Sequence, residues 1–116
     1  MTLPDRPTLV QRMRDEAVII EHWVGKGRAA FDDPETGAQS VVEHHVERFA
    51  ETAHKLGESF HRANPRVAWA EIWAMRLAIT HYYERSLDPN ELWAFARESV
   101  PRAISSLHHP TFPRGP

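Results

Sequence analysis

The sequence predicts an all-α protein folded as an up-and-down four-helix bundle. Apolar residues recur at steps of three and four along most of the 116-residue chain, which is the period of an amphipathic helix. No segment alternates apolar and polar residues with the period of two that marks a half-buried strand. The connections between the helical segments are short, and short connections join antiparallel neighbours in a bundle.

Two predicted helices fill the first half of the chain. The first runs from about Thr8 to Phe31 and is broken by the stretch DDPETG. Its apolar stripe consists of Val10, Met13, Ala17, Ile20, Val24, Gly27 and Phe31. The second helix opens near Ser40 and ends before ANPR. One face of this helix is formed by Val42, His45, Val46, Phe49, Ala53, Leu56 and Phe60.

The third predicted helix lies within AWAEIWAMRLAITHYYERS, residues 68–86. Its side chains are apolar almost all round, so we expect it to be buried from several sides, with Trp69 and Trp73 in the core. We also place Trp23 and Trp93 in the core.

The fourth predicted helix begins at DPNE. Asp88 is placed to cap it, Pro89 fits the first helical position, and Glu91 occupies the capping-box position. We expect Pro101 to kink this helix, because proline has no N–H to donate within a helix. Its inward face is formed by Leu92, Ala96, Ser99, Val100, Ala103 and Leu107.

Composition limits the classes of protein that fit. We expect one domain over residues 1–107 and a disordered tail over residues 108–116. The lack of cysteine excludes a disulfide scaffold and a thiol nucleophile. The amino terminus has no apolar run after its charges, so we expect no secretory signal, no membrane span and a cytoplasmic location. With a net charge of -2, binding of nucleic acid requires a local cluster of arginines.

Arg76 and His81 are unusual in so apolar a third helix. A buried arginine without a partner costs several kcal/mol, so Arg76 is either paired, in a cleft or at a subunit interface. At about 100° per residue, Arg76 shares a helix face with Tyr83, while His81 lies about 140° away. Arginine is long and His81 lies near the helix end, so the three side chains can line one cleft.

The segment NPRVAWAEIWAMRLAITHYY resembles the signature of the HepT-like toxins, a family of the HEPN superfamily. The matching positions are Pro65, Val67, Trp69, Ile72, Met75, Arg76, His81 and Tyr83. ETAHKL also resembles a segment of the family's second helix, and LDPNELWAFARESVP resembles its last helix. The Arg-x4-His spacing alone is a weak signal. Surrounded by Trp69, Met75, Tyr83, Trp93 and Pro101 at matching spacings, it becomes fairly specific.

The resemblance implies a dimeric HEPN bundle of four to five helices, in which Arg and His motifs from both subunits meet in one cleft. Many such proteins are metal-independent RNA endonucleases, which act as toxins paired with a minimal nucleotidyltransferase (MNT) antitoxin. In some systems the antitoxin transfers AMP to the motif tyrosine. Carried over, Arg76 and His81 are catalytic and Tyr83 is the modified residue, with no cofactor or metal. Thr80, Tyr82 and Glu51 are candidate supporting residues.

These residue types suit RNA cleavage through the 2′-hydroxyl. Histidine titrates near neutrality, so His81 and its mate across a two-fold axis can supply a base and an acid. Arg76 can stabilise the negative charge of the phosphorane, and the Tyr83 hydroxyl can bond the phosphate. AMP attached to Tyr83 would add a negative charge and an adenosine where RNA must lie.

Three departures from the family pattern bear on activity. Leu77 stands where a polar residue usually follows the motif arginine, which weakens or removes activity if that residue orients the site. His44 and His45 occupy positions where an Arg-Asn pair is common. Tyr82 adjoins Tyr83, so either hydroxyl can be the acceptor, and the register of the motif favours Tyr83.

Two alternatives to an active nuclease remain open from the sequence. One is an inactive HEPN module, disarmed by Leu77, that dimerises and binds a nucleotidyltransferase. The other is a metal-binding bundle built on a stripe of histidine and glutamate along the second helix. The stripe comprises His44, Glu47, Glu51, His54, Glu58 and His61. All six lie on one helix and cannot close a dinuclear site within one subunit, so a solvated helix face is the simpler interpretation.

Overall fold

The computed structural model describes residues 4–81 and 87–107, and within these ranges the chain forms helices and no strand. The helices are α1 (Arg6–Val24), α2 (Arg28–Asp32), α3 (Ala38–Lys55), α4 (Glu58–Ala63), α5 (Trp69–Thr80), α6 (Pro89–Ala94) and α7 (Val100–Ser106). A π-helical turn, Phe95–Ser99, joins α6 to α7. The predicted all-α bundle is confirmed. None of the helices within the described ranges combines the length and apolarity that crossing a membrane would need.

The first predicted helix is in fact two helices. It begins earlier than expected because the Asp5 side chain caps it, accepting a hydrogen bond from the backbone N–H of Thr8 at 2.9 Å. The prediction of one continuous helix to Phe31 is wrong, because the chain turns at Gly27 with φ +95°. This region of backbone space is accessible almost only to glycine. The turn still delivers Phe31 to the core, where it is fully buried.

The second predicted helix is also divided by a glycine. Gly57 adopts φ +88° and separates α3 from α4, so the expectation of one helix as far as ANPR is wrong. The break keeps the apolar register, since Leu56 on one side and Phe60 on the other are both buried.

The core forms around α3, which packs against α1 on one side and α5 on the other. The π-turn and α7 close the bundle against α1. The largest fully buried apolar side chains are those of Met13, Ile20, Phe31, Val42, Val46, Phe49, Phe60, Leu92 and Val100. Burial of apolar surface of this kind is the main stabilising contribution to such a fold.

The third predicted helix, α5, is less buried than its composition suggests. Within the single chain only Ile72 and Ile79 of this helix are buried, so the expectation of burial from several sides is wrong. Trp73 is 36% exposed and Leu77 is 38% exposed. The placement of Trp73 in the core is therefore also wrong. Trp69 is partly buried and packs against the core, as do Trp23 and Trp93.

The last helix is interrupted ahead of its proline. Asp88 caps α6 as predicted, accepting from the backbone N–H of Asn90 at 2.8 Å, and Pro89 takes the first turn. The effect expected of Pro101 appears as the π-helical turn that immediately precedes α7. A proline cannot donate to the carbonyl four residues before it, so the wider π-turn accommodates the missing hydrogen bond.

Candidate active site

Arg76 lies on the C-terminal half of α5 and is half-buried, with its guanidinium over the ring of Trp73. Its Cζ lies 5.1 Å from the centroid of the Trp73 ring. Its Nε is buried and has no hydrogen-bond partner within the described residues. Glu71, the acid on the same helix, instead accepts from the Ser99 hydroxyl. A buried donor left without an acceptor is unfavourable by about 1–3 kcal/mol, so an anion beside Arg76 would be stabilised.

Glu51 places a negative charge from α3 close to Arg76. Its pKa lies below the ordinary value of 4.5, mainly because Lys55 donates a hydrogen bond to it. The positive charges of Lys55, Arg76 and Arg48 lower the pKa further. The Lys55 Nζ lies 3.0 Å from the Glu51 Oε1. Glu51, a candidate supporting residue from the sequence, thus lies within electrostatic range of Arg76, although the closest cation is Lys55.

Thr80, the second candidate supporting residue, bonds to its own helix. Its hydroxyl donates to the backbone carbonyl of Arg76 at 2.9 Å, which is the usual position four residues back in a helix. This bond fixes the last turn of α5 between Arg76 and His81.

His81 is the C-cap residue of α5 and is exposed. Its backbone N–H donates to the carbonyl of Leu77 at 2.9 Å, which completes the last helical turn. In an α-helix, five residues separate His81 from Arg76 by about 7.5 Å along the axis and about 140° around it. Arg76 is half-buried toward α3, whereas the His81 side chain is exposed to solvent at the helix end.

Tyr83 and Tyr82, the candidate residues for modification and phosphate contact, lie outside the described residues. The residues of the expected tail, 108–116, lie outside them too. The structure therefore does not test these predictions.

The exposed face of α5 is apolar. Leu77 and Trp73 lie one helical turn apart on it, with the exposed side chains of Ala70 and Ala74 beside them. Leu77, which replaces the usual polar residue of the family pattern, thus points to the surface. A leucine there offers neither a donor nor an acceptor to a substrate phosphate.

The histidine and glutamate stripe of the second helix connects to α5 instead of facing only solvent. The His54 ring stacks on Trp73 with 4.3 Å between centroids, and the His61 ring stacks on Trp69 at 4.1 Å. The His61 Nε2 also lies 2.8 Å from the carbonyl oxygen of Ala53. The interpretation of this stripe as a solvated face fits His54, which is exposed, whereas His61 is partly buried, and both rings also stack on tryptophans of α5.

Metal binding by the stripe finds no geometric support. Across residues 4–81 and 87–107, no three histidine, aspartate or glutamate side chains converge to hold an ion. Two of the acids form ion pairs one turn along their own helices. Glu51 pairs with Lys55, and Glu58 pairs with Arg62 at 2.7 Å.

A buried network that sequence reasoning missed joins α1 to α3. The Glu16 side chain is only 9% exposed, and its two carboxylate oxygens lie 2.6 Å from the His45 Nδ1 and 2.7 Å from the Arg48 Nε. The hydrogen bond to Glu16 raises the pKa of Arg48. The signal was present in the sequence, because Glu16 lies three residues after Met13 on the apolar stripe of α1. A carboxylate in that position requires a partner.

A polar groove runs along the seam between α1 and α3. Its volume is about 290 Å³. It is lined by Arg12, Asp15, Glu16, Arg48, Glu51, Thr52 and Lys55. Glu51 is common to this groove and to the surroundings of Arg76. Arg76 itself does not line the groove, so Glu51 is the residue that connects the two.

Within one chain the structure thus places a half-buried guanidinium and an exposed histidine on different sides of α5. The chain matches the family model described as "Ribonuclease HepT-like" over residues 13–109, a span that includes Arg76, His81 and most of the bundle. Comparison with curated proteins and with solved structures gave no significant match. The family match covers most of the 116 residues, and the chain therefore belongs to the HepT-like ribonuclease family of the HEPN superfamily.

Proposed function

We propose that this protein is a metal-independent RNA endonuclease, acting as the toxin of a cytoplasmic toxin–antitoxin pair. The observation that carries the proposal is the buried Nε of Arg76, which has no hydrogen-bond partner among the described residues, five residues before an exposed histidine in a HepT-like chain. An arginine donor held in a partly dry position binds a phosphate oxygen more strongly than a fully hydrated one.

The proposed site is completed by a second subunit. Arg76 and His81 point in different directions from one α5 helix, so one chain does not surround a phosphate with both residues. The exposed apolar side chains of Trp73 and Leu77 lie on the same helix, and burying them against a second copy would remove them from water. A two-fold axis there would bring two copies of Arg76 and His81 to one cleft.

The reaction we propose begins at the 2′-hydroxyl of the RNA. His81 of one subunit takes the 2′-hydroxyl proton as the oxygen attacks the adjacent phosphorus. Arg76 stabilises the extra negative charge on the phosphorane oxygens. The protonated His81 of the second subunit gives its proton to the departing 5′-oxygen, which leaves a 2′,3′-cyclic phosphate and a 5′-hydroxyl. The roles of the two histidines require one neutral and one protonated imidazole.

We further propose that an MNT-type nucleotidyltransferase antitoxin silences the site by transferring AMP to Tyr83. The proposal rests on the position of Tyr83 two residues after His81, in the segment that resembles the family signature. The added phosphodiester and adenosine would occupy the place of the substrate phosphate and a base. The matched control is Tyr82, since Tyr83→Phe should abolish AMP incorporation and Tyr82→Phe should leave it unchanged.

The test of the nuclease is RNA cleavage by protein that intact-mass measurement shows to be unmodified. In the presence of EDTA the parent should cleave, while His81→Ala and Arg76→Ala should lose at least about 100-fold in rate, as expected for loss of an acid–base or charge-stabilising group. His22→Ala is the matched control, because His22 is an exposed histidine near the C-terminal end of another helix, α1. An RNA with a single 2′-deoxynucleotide at the cut site should resist cleavage there. A parent that leaves RNA intact, or cuts the deoxy-substituted site, contradicts the proposal.

One observation favours a second candidate function, that of an inactive partner-binding module. Leu77 is exposed on α5 and offers no polar group where the family pattern usually has one. If the parent is inactive, Leu77→Asn tests this alternative directly. Gain of His81-dependent cleavage on that substitution would show that Leu77 disarms an otherwise complete site.

A further inference from the structure

The groove between α1 and α3 contains an arginine with an unusual arrangement of its donors. Arg48 is 59% exposed, yet its Nε is held at 2.7 Å by the buried Glu16 carboxylate. A guanidinium has five N–H donors, and the four on its two terminal nitrogens are not engaged by any described side chain. Glu16 therefore fixes the inner edge of the guanidinium and leaves its outer edge turned to the groove.

The anchoring of Arg48 is itself well supported. The second oxygen of Glu16 lies 2.6 Å from the Nδ1 of His45, so both carboxylate oxygens have partners on α3. A buried carboxylate held at both oxygens has little freedom to move. Arg48 is thereby tethered at its Nε before any ligand arrives, and such a tether reduces the entropy lost when a phosphate binds.

The position of Arg48 links it to Arg76. Both cations lie close enough to Glu51 for their charges to lower its pKa, and Glu51 lines the groove. Arg12, an exposed residue of α1, lies on the opposite wall of the same groove. The groove therefore carries Arg48 and Arg12 on facing helices. Its Glu51 lies one helical turn before His54, whose ring stacks on the Trp73 ring that Arg76 also contacts.

We propose that the α1–α3 groove is the track of the RNA strand next to the cleaved bond, with Arg48 and Arg12 contacting flanking phosphates and Glu16 acting as the positioning residue for Arg48. This inference rests on the proposed RNA-cleaving function and assigns the path of its substrate. Contacts to phosphate fix the position of a strand without reading its sequence.

Binding is measured by fluorescence anisotropy with a short fluorescein-labelled oligouridylate, in full-length His81→Ala protein so that the probe stays intact. Arg48→Ala should weaken binding about tenfold, as expected for loss of one charge-assisted contact. The slope of log affinity against log salt should fall by about 0.7, since one fewer phosphate is neutralised. Arg97→Ala is the matched control, because Arg97 is an exposed arginine on the π-turn outside the groove. It should change neither quantity.

The variant Glu16→Gln distinguishes a positioning role of Glu16 from a simple effect of its charge on RNA binding. Removing a negative charge from the groove should tighten RNA binding if only net charge matters. If Glu16 positions Arg48, the same substitution should weaken binding, because the amide holds the guanidinium less firmly. Arg48→Lys should also bind more weakly than the parent, since one ammonium cannot hold Glu16 and face a phosphate in the same fork. Tighter or unchanged binding by Glu16→Gln overturns the positioning role.

The outcomes distinguish this inference from the proposed function. Cleavage that depends on His81, combined with unchanged RNA binding in both Arg48→Ala and Arg12→Ala, overturns the groove and leaves the nuclease standing. Binding that depends on Arg48 in a parent that does not cleave RNA overturns the nuclease and supports the groove. Thermal unfolding of each variant is recorded. If Glu16→Gln does not fold, Arg48→Lys decides the positioning role, since binding equal to the parent overturns it, and Arg12→Ala, which changes an exposed side chain, decides the groove.

Discussion

The helices α3 and α5 pack against each other, but α3 buries most of its apolar residues and α5 buries few of them. α3 carries charged or histidine side chains at many positions and still buries Ala38, Val42, Val46, Phe49, Ala50 and Ala53. α5 is far more apolar and buries only Ile72 and Ile79. The arrangement of apolar residues around a helix therefore decides burial in this chain, and the amount of apolar surface does not.

Because of this difference, we expect the two helices to contribute differently to the stability of the chain and to its contacts with other molecules. The regular apolar stripe of α3 is satisfied within one chain, because α1 and α5 cover it on both sides. The apolar side chains of Trp73 and Leu77 on α5 remain at the surface beside Arg76. Stability should thus depend on α3 at any protein concentration, whereas α5 should matter most for assembly and catalysis.

The largest expected effect is that of opening a cavity beneath α3. Phe49→Ala should lower the free energy of unfolding by about 3–5 kcal/mol, because Phe49 is fully buried at the centre of the core. Urea denaturation followed by circular dichroism measures this, and the loss should not depend on protein concentration. Trp73→Ala should give a smaller loss that shrinks further on dilution. Equal, concentration-independent losses for the two variants would contradict the contrast between the helices.

A smaller effect is expected on self-association from a charge placed on the exposed face of α5. Leu77→Glu should raise the dissociation constant of the proposed dimer by roughly 30-fold or more, since a charge replaces an apolar side chain that the interface would bury. Sedimentation at several concentrations gives the constant. Val18→Glu is the matched control, because Val18 is a 65% exposed apolar residue on α1. A dimer that Val18→Glu disrupts and Leu77→Glu leaves intact would place the interface elsewhere.

The turn at Gly57 positions α4, whose His61 ring stacks on Trp69 of α5. Its φ of +88° and ψ of 165° are almost exclusive to glycine, so Gly57→Ala should destabilise the fold by about 1–3 kcal/mol. Gly37 adopts φ +70° and ψ 5°, a left-handed conformation that asparagine tolerates. Thermal unfolding measures both variants, and Gly37→Asn should be nearly neutral in it. Fluorescence of Trp69 should change only in Gly57→Ala, since His61 of α4 stacks on that ring.

The fold class was predictable from the sequence because it depends on local periodicity. The two glycine breaks were not, since Gly27 and Gly57 lie inside apolar stripes that keep the same register on both sides. A glycine within a helical pattern is compatible with either a continuous or a broken helix. The low burial of α5 was missed because apolarity alone does not say how many neighbours a helix has in one chain.

The candidate site was likewise predictable from the sequence only in part. Arg76 and His81 were predicted because the segment that resembles the family signature sets their spacing along one helix, and their catalytic roles stay predictions. Their surroundings were less accessible, because Glu51 and His54 come from α3 and meet α5 only after the helices pack. Glu16 lay on the apolar stripe of α1, but its partner Arg48 depends on the rotation of α3 about its own axis.

The smallest predicted effect tests the electrostatic link between the two helices. Glu51 should titrate below 4.5, and Lys55→Met should raise its pKa more than Arg76→Met does, because the hydrogen bond from Lys55 is the main cause. NMR titration of the carboxyl carbon measures both shifts. Glu43 is the control on α3, since burial and then the charge of Glu47 raise its pKa, and neither substitution should move it.

The sign of the pH dependence follows from the lowered pKa of Glu51. A carboxylate whose pKa is lower in the folded chain than in the unfolded chain stabilises the fold above its unfolded pKa. That contribution is lost as the pH falls through the folded pKa, and it should be small because the Glu51–Lys55 pair is half exposed. If Arg76→Met leaves the pKa of Glu51 unchanged, the charge of Arg76 has no effect on Glu51 across the contact between α3 and α5. The groove and the proposed catalytic arginine would then be electrostatically independent.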